Sequence, residues 1–329
     1  MLASCAGPGA TEASGDTEGA GTSAAAPCDK APDYPQGPIQ LIVPWAAGGG
    51  TDSVARFVGK ELAERLDTQV NVVNRDGGSG VIGHSAIAHG NPDGSTLGMV
   101  TVELTMMHWQ GLTDLTYQDV TPIAQVNSDA AGVTVAANAP WKDVKALIQD
   151  AQASPGKLTA SGTGRGGIWN LAAAGMLLEA GAPANAIKWV PSDGAAPALQ
   201  ELVAGGVDVS TASLVENKTM IEAGKVRPIA IMADERDPNF PDVPTLEEEG
   251  IDFTMSAWRG IAGPSGMDDD VVAELECDLD KIVHGDDYKK FMAQQGFGVE
   301  WRDAKEFGAF MADQDQVKGE IMAKAGLRP

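Results

Sequence analysis

"PWAAGGGTDSVARFVGKELAERL", Pro44–Leu66, begins at the end of a short apolar run, IQLIVPW, and turns abruptly into a helical pattern. Three consecutive glycines, Gly48, Gly49 and Gly50, stand at the junction. Glycine is poorly suited to a helix and its backbone is costly to order. A bare backbone here serves the close approach of something to the chain. The pattern predicts a buried strand over IQLIV and a helix from about Asp52 to Leu66. Asp52 either caps that helix or pairs with Arg56 four residues on.

The same alternation continues along the chain. Strands are expected at 69–75, 94–101, 120–126, 132–138, 157–162, 186–192, 207–212 and 226–233, and helices at 77–89, 139–153, 168–181, 196–206 and 217–224. Strands alternating with helices imply α/β architecture, with mostly parallel sheets and helices on both faces. A chain of 329 residues exceeds one ordinary core, so two such units are expected with a ligand cleft between them. Glycine-rich loops recur at strand ends: GGSG after the second strand, SGTGRGG over 161–167 and SDGAAP over 192–197. In open α/β sheets, ligands sit beyond the carboxyl ends of the strands. Helix N-termini there offer free N–H groups and a positive dipole end. A carboxylate is the ligand group this arrangement suits.

Composition removes several alternatives. The net charge of −23 and an aromatic content of 5% exclude a nucleic-acid surface. No run approaches the roughly 20 apolar residues of a membrane helix. GTGRGG lacks the G-K-[ST] of a phosphate loop, and neither a G-x-S-x-G elbow nor an H-E-x-x-H pair occurs. His84, His89, His108 and His284 are read as ordinary surface or core residues, and the acidic runs 247–249 and 268–270 as solvated turns or helix starts. With no catalytic set, no metal set and no cofactor motif, a binder is expected rather than an enzyme.

The N-terminus reads MLASC, which resembles the end of a bacterial lipoprotein signal with Cys5 as the lipidated residue. Residues 6–35 are small and polar and read as a flexible tether. Together they predict an extracytoplasmic protein that meets the membrane through a lipid anchor alone. Cys28 and Cys277 then form an even pair, and either a disulfide or two free thiols fits.

PIQLIVPWAAGGGTDSVAR, VVNRDGGSGVIG, NPDGSTLGM, APALQELVAGGVDV, IEAGKVRPIAIMADER, FPDVPTLEEEGI and WRGIAGPSG occur in this order. This series resembles the solute-binding proteins of tripartite tricarboxylate transporters, the Bug or TctC-like family, over about residues 37–329. The resemblance implies a two-lobed periplasmic-binding-protein fold, with lobe 1 over 37–128 plus 255–329 and lobe 2 over 129–254. It implies a monomer that closes over a di- or tricarboxylate or an aromatic acid and delivers it to a two-subunit membrane permease. A ligand-sensing role in signalling belongs to the same family. By position, the ligand set is Ala47, Gly48, Gly49, Gly50 and Thr51 on the first loop and Thr101 on the third strand. Ser161, Thr163, Gly164, Arg165, Gly166 and Asn170 follow on the second-lobe loop, with Ser192, Gly194 and Ala195 on the next and Arg259 at the return crossing. Val102 and Glu103 line the cleft beside Thr101. Family members often carry a serine and a histidine where Gly167 and Asn170 stand, and an aromatic and a basic residue where Ser192 and Asp193 stand. Arg165 is therefore either a clamp on a distal carboxylate or a solvated arginine, and Arg259 either a ligand contact or an ion-pair partner. Trp169 and Trp258 either wall the cleft or fill the core.

Overall fold

The computed structural model describes residues 28–192 and 194–329. Cys5, the tether up to residue 27 and Asp193 lie outside the described residues. In chain order the first elements are β1 (Ile39–Val43), α1 (Gly50–Leu66), β2 (Val70–Asn74), α2 (Val81–Ala88) and β3 (Thr96–Thr101). The long strand β4 (Val120–Ala130) leads into β5 (Gly132–Ala136), α3 (Val144–Ala153), β6 (Leu158–Ser161), α4 (Ile168–Glu179) and β7 (Ile187–Trp189). Next come α5 (Ala195–Ala204), β8 (Val209–Ser210), α6 (Leu214–Glu222) and β9 (Val226–Ile231). The chain ends with β10 (Ser256–Pro264), α7 (Asp269–His284), α8 (Asp286–Gln295), β11 (Val299–Arg302) and α9 (Ala304–Lys324).

Two sheets result, ordered β11-β4-β10-β3-β1-β2 and β7-β6-β8-β5-β9. The expected parallel pairing holds for β2-β1-β3 and for β7-β6-β8, where helices connect successive strands. Both sheets are nevertheless mixed rather than mostly parallel. β4 and β10 lie antiparallel because one carries the chain toward the second sheet and the other carries it back. β5 likewise runs antiparallel to β8 and β9.

β1 shows how composition sets position: four of its five residues are buried, as a strand covered on both faces requires. Leu41 and Val43 pack with Val54, Val58 and Leu62, the apolar stripe of α1, and with Leu275 and Leu279 of α7. Gly59 lets α1 approach the sheet, since a Cβ there would lie 3.1 Å from Val72. A second core joins Val133 and Val135 to Leu147, Leu171 and Met176, and continues through Trp258 to Phe307 of α9.

The chain leaves the first sheet at Ala131 and returns over 232–255. Three backbone hydrogen bonds tie these passages together. Ala131 N–H donates to Met255 O at 2.8 Å, Met232 N–H to Ala131 O at 2.8 Å and Met255 N–H to Met232 O at 3.0 Å. Cys28 and Cys277 form a disulfide with a Cα–Cα distance of 5.8 Å, fastening the start of the described chain to α7. Ala31 N–H donates to Glu274 at 2.8 Å and Lys30 pairs with the same carboxylate, so the attachment does not rest on sulfur alone.

Candidate functional site

Two loops of the same design face the space between the sheets. In the first, Gly48 turns at φ 85°, Gly49 is the extended N-cap of α1, and Asp52 reaches back to accept from Gly48 N–H at 2.8 Å. In the second, Gly166 turns at φ 77°, Gly167 is the extended N-cap of α4, and Asn170 accepts from Gly166 N–H at 2.9 Å. Each brace spans four residues and shapes the loop without covering the helix start. Neither N-cap makes a side-chain hydrogen bond, and the same is true of Gly194 at the start of α5. By contrast α3, α6, α7 and α9 are capped by Asp143, Ser213, Asp268 and Asp303. The first-turn N–H groups of α1, α4 and α5 therefore retain their capacity for an anion.

Burial pushes the Asp52 carboxyl up, but hydrogen bonds from Arg56, Gly48 N–H and Asn74 outweigh it and hold the group below the usual carboxylate range. Asp52 is thus both brace and ion-pair partner of Arg56, at 2.9 Å.

His84 organises the wall beside the first loop. Its Nδ1 lies 2.8 Å from Gly80 O, and its Nε2 accepts from Thr101 N–H at 3.1 Å. Thr101 Oγ1 accepts from the Trp45 indole at 3.1 Å and donates to Glu103 at 2.6 Å. Burial pushes the His84 pKa down to about 4, so the ring is neutral at physiological pH. Because the folded state binds its proton more weakly than the usual His value of about 6.5, stability is complete above that value and falls as pH drops toward 4. Removing the imidazole by His84→Gln is expected to flatten the difference in thermal stability between pH 7 and pH 4 by about 3 kcal/mol. An unchanged pH slope in paired thermal melts would show that the ring is not held neutral.

The cavity between the sheets has a volume of about 380 Å³ and is lined by Gly50, Thr51, Thr101, Thr163 and Arg259 of the expected set. An adjoining cavity of about 510 Å³ shares Trp45, Glu103, Thr163 and Ile168, and adds Gly164, Arg165, Ser192 and Gly194. Ser192 and Trp189 both donate to Thr163 O, which joins the two second-sheet loops. The remaining expected residues stand apart from this lining. Ala47, Gly48 and Gly49 are exposed in the first loop, Ser161 is buried at the end of β6, and Ala195 is buried in the first turn of α5. Gly166 and Asn170 are occupied by their mutual brace, and Gly166 O also accepts from Gln110.

Arg259 both lines the cavity and pairs with an acid. Its Nη1 contacts Asp129 at 2.7 Å and the Asn127 amide oxygen, its Nε donates to Thr51 at 3.0 Å, and its guanidinium lies over Phe297. Arg165 sits at the rim, donating to Gly326 O at 3.4 Å. Trp169 and Trp258 are at once core and cleft wall, with exposures of 3% and 0%. Trp45, Asp129, Ser213, Glu216 and Phe297 also line the cavity but were not expected from sequence. Only the Ser213-x-x-Glu216 spacing carried a signal, that of a capping box, and it forms here. Burial pushes the carboxyls of Glu103 and Glu216 up, and Lys318 behind Glu103 is pushed down to about 7 by burial.

With this geometry established, residues 54–327 match the family described as tripartite tricarboxylate transporter family receptor, TctC. The chain belongs to this family. A TctC solute-binding protein from Polaromonas, solved without ligand, superposes with a TM-score of 0.79 at 33% identity, covering 88% of this chain and 99% of that one. The MatC protein of Rhodopseudomonas palustris, solved with bound malate, gives a TM-score of 0.72 at 27% identity over 88% of this chain and 99% of that one. A curated relative from Pseudomonas sp. strain P51, a UPF0065 protein in a tcbD-tcbE intergenic region, is 30% identical over 80% of this chain and 79% of its own length. This TctC receptor therefore has the periplasmic-binding-protein fold, and no helix among its described residues is long and apolar enough to cross a membrane.

Proposed function

We propose that this TctC receptor captures a small organic carboxylate in the cleft by closing two lobes over it and passes it to a two-subunit membrane permease. In this reading the lobes comprise 37–128 with 255–329 and 129–254, and the hydrogen-bonded passages at Ala131, Met232 and Met255 serve as the hinge. The observation that carries it is the matched pair of braced glycine loops, each leaving a helix start free for an anion from opposite walls of one cavity. Gly50 and Thr51 supply N–H groups on one side, and Ile168, Trp169 and the threonine hydroxyl of Thr163 supply donors on the other. Thr163 Oγ1 is buried and has no partner within the protein, as a group awaiting a ligand would be. The malate bound to the related MatC protein accords with this class of ligand. Binding without turnover, a monomeric state and attachment through a lipidated Cys5 complete the proposal.

A thermal-shift screen of the full chain against mono-, di- and tricarboxylates tests it. A ligand at a hundred times its dissociation constant adds about 2.7 kcal/mol to a native-state binder. A rise in melting temperature confined to one acid or one tight class is the expected result. The absence of any shift, together with no small acid released on unfolding, would remove the carboxylate reading.

A further inference from the structure

The cavity walls carry more negative charge than a simple carboxylate ligand accounts for. Asp129 is compensated by Arg259 at 2.7 Å. Glu103 receives one hydrogen bond, from Thr101, and Glu216 one capping box, from Ser213. Neither makes a direct ion pair among the described residues; Arg259, already paired with Asp129, acts on both only from beyond contact. Lys318 donates to Gln314 at 2.6 Å, lies outside the cavity wall and attracts Glu103 without forming an ion pair with it. Arg165 points to Gly326 at the rim. The same space is bounded by the rings of Trp45, Trp169 and Phe297. The indole N–H of Trp258, itself 0% exposed and in the cavity wall, has no acceptor in the protein.

These features point to a ligand with two unlike ends. An unpaired donor and two free helix starts call for an acceptor, whereas two carboxylates without a direct ion pair, set among aromatic faces, call for a cation. A second carboxylate on the ligand would enter like-charged walls, but an ammonium would find opposite charge. We propose that the ligand is a small zwitterion, whose carboxylate rests on the glycine loops and whose ammonium is balanced by Glu103 and Glu216. This assignment rests on the carboxylate-capture reading and narrows it. Burial raises both glutamates, and a cation arriving beside them would restore their ionised form.

The test is calorimetric titration of the full chain, stripped of bound molecules by unfolding and refolding. Matched probes differ only at one end: 4-aminobutyrate and its trimethylammonium analogue against glutarate, and β-alanine and glycine betaine against succinate and malonate. The expected result is that at least one zwitterion binds tenfold or more tightly than its matched diacid. Glu103→Gln and Glu216→Gln should each weaken that zwitterion about tenfold, leaving the diacids unchanged or tighter, with unaltered melting temperature in the absence of ligand. Should a variant fail to fold, the wild-type comparison decides alone. Preference for the diacids across the panel overturns the zwitterion assignment and leaves carboxylate capture standing. Binding of neither class overturns the zwitterion assignment, and carboxylate capture is then decided by the wider thermal-shift screen.

Discussion

Replacing Gly50 by valine is expected to lower ligand affinity at least a hundredfold and to shift the melting temperature of the empty protein by only a few degrees. A Cβ at Gly50 would lie 2.9 Å from Phe297 Cζ and 3.3 Å from Arg259 Nη2, inside the cavity wall. The two further methyl groups of valine would occupy the position proposed for the anion at the first-turn N–H groups of α1. The fold loses little, because Gly50 is the first residue of the helix and its neighbours there are the far ends of two side chains. Gly49→Ala is the control. Gly49 has φ −82°, and its nearest non-local atom is Ala46 O at 3.7 Å, an ordinary contact. Calorimetric titration of both variants checks the pair. Full binding by a folded Gly50→Val protein would show that the ligand does not rest on α1.

The second large effect concerns stability. The Cys28–Cys277 bond closes a loop with a sequence separation of 249. On the chain-entropy account, long loops gain most from closure, and loss of a native disulfide typically costs about 2–5 kcal/mol. The Glu274 contacts hold the same segment by other means, so the lower half of that range is expected for the Cys28→Ser, Cys277→Ser protein. Ligand affinity should be unchanged, since the bond lies against α7 and neither cysteine lines the cavity. Melting curves with and without reductant check this. A wild-type curve indifferent to full reduction would show that the Glu274 contacts suffice.

Most of the architecture was legible because it follows local rules. Short β-rich runs alternating with helical patterns gave the strands, and the four-residue spacing of Val54, Val58 and Leu62 matches the buried face of α1. The mixed character of the sheets was not legible, because the direction of β4 against β10 depends on where two distant segments cross, and no spacing encodes that. At the site, the glycine loops announced themselves, since a run of glycine before a helix has few other uses. Their geometry turned on residues outside the run. Gly50, rather than the central Gly49, lines the cavity, while Gly48 is held by its N–H bond to Asp52 four residues on. Asp129 and Phe297 reach the cleft only through tertiary folding: Asp129 at the end of β4, Phe297 on a turn braced by Gly298 N–H bonding to Asp129 at 2.9 Å. Nothing in their surroundings along the chain marks them.

The twin braces, Gly48 with Asp52 and Gly166 with Asn170, have a kinetic consequence. Both cradles hold their shape through bonds internal to each loop. Neither must be ordered by the incoming solute, so the ordering cost that usually burdens loop-borne sites is already met in the empty protein. On the proposed two-lobe closure, the solute seats on one wall at the first productive collision, and rigid-body rotation about the backbone ties at Ala131 then completes its enclosure. Association should accordingly be fast and nearly independent of solute identity within the accepted class, and selectivity among accepted solutes should reside in their residence times.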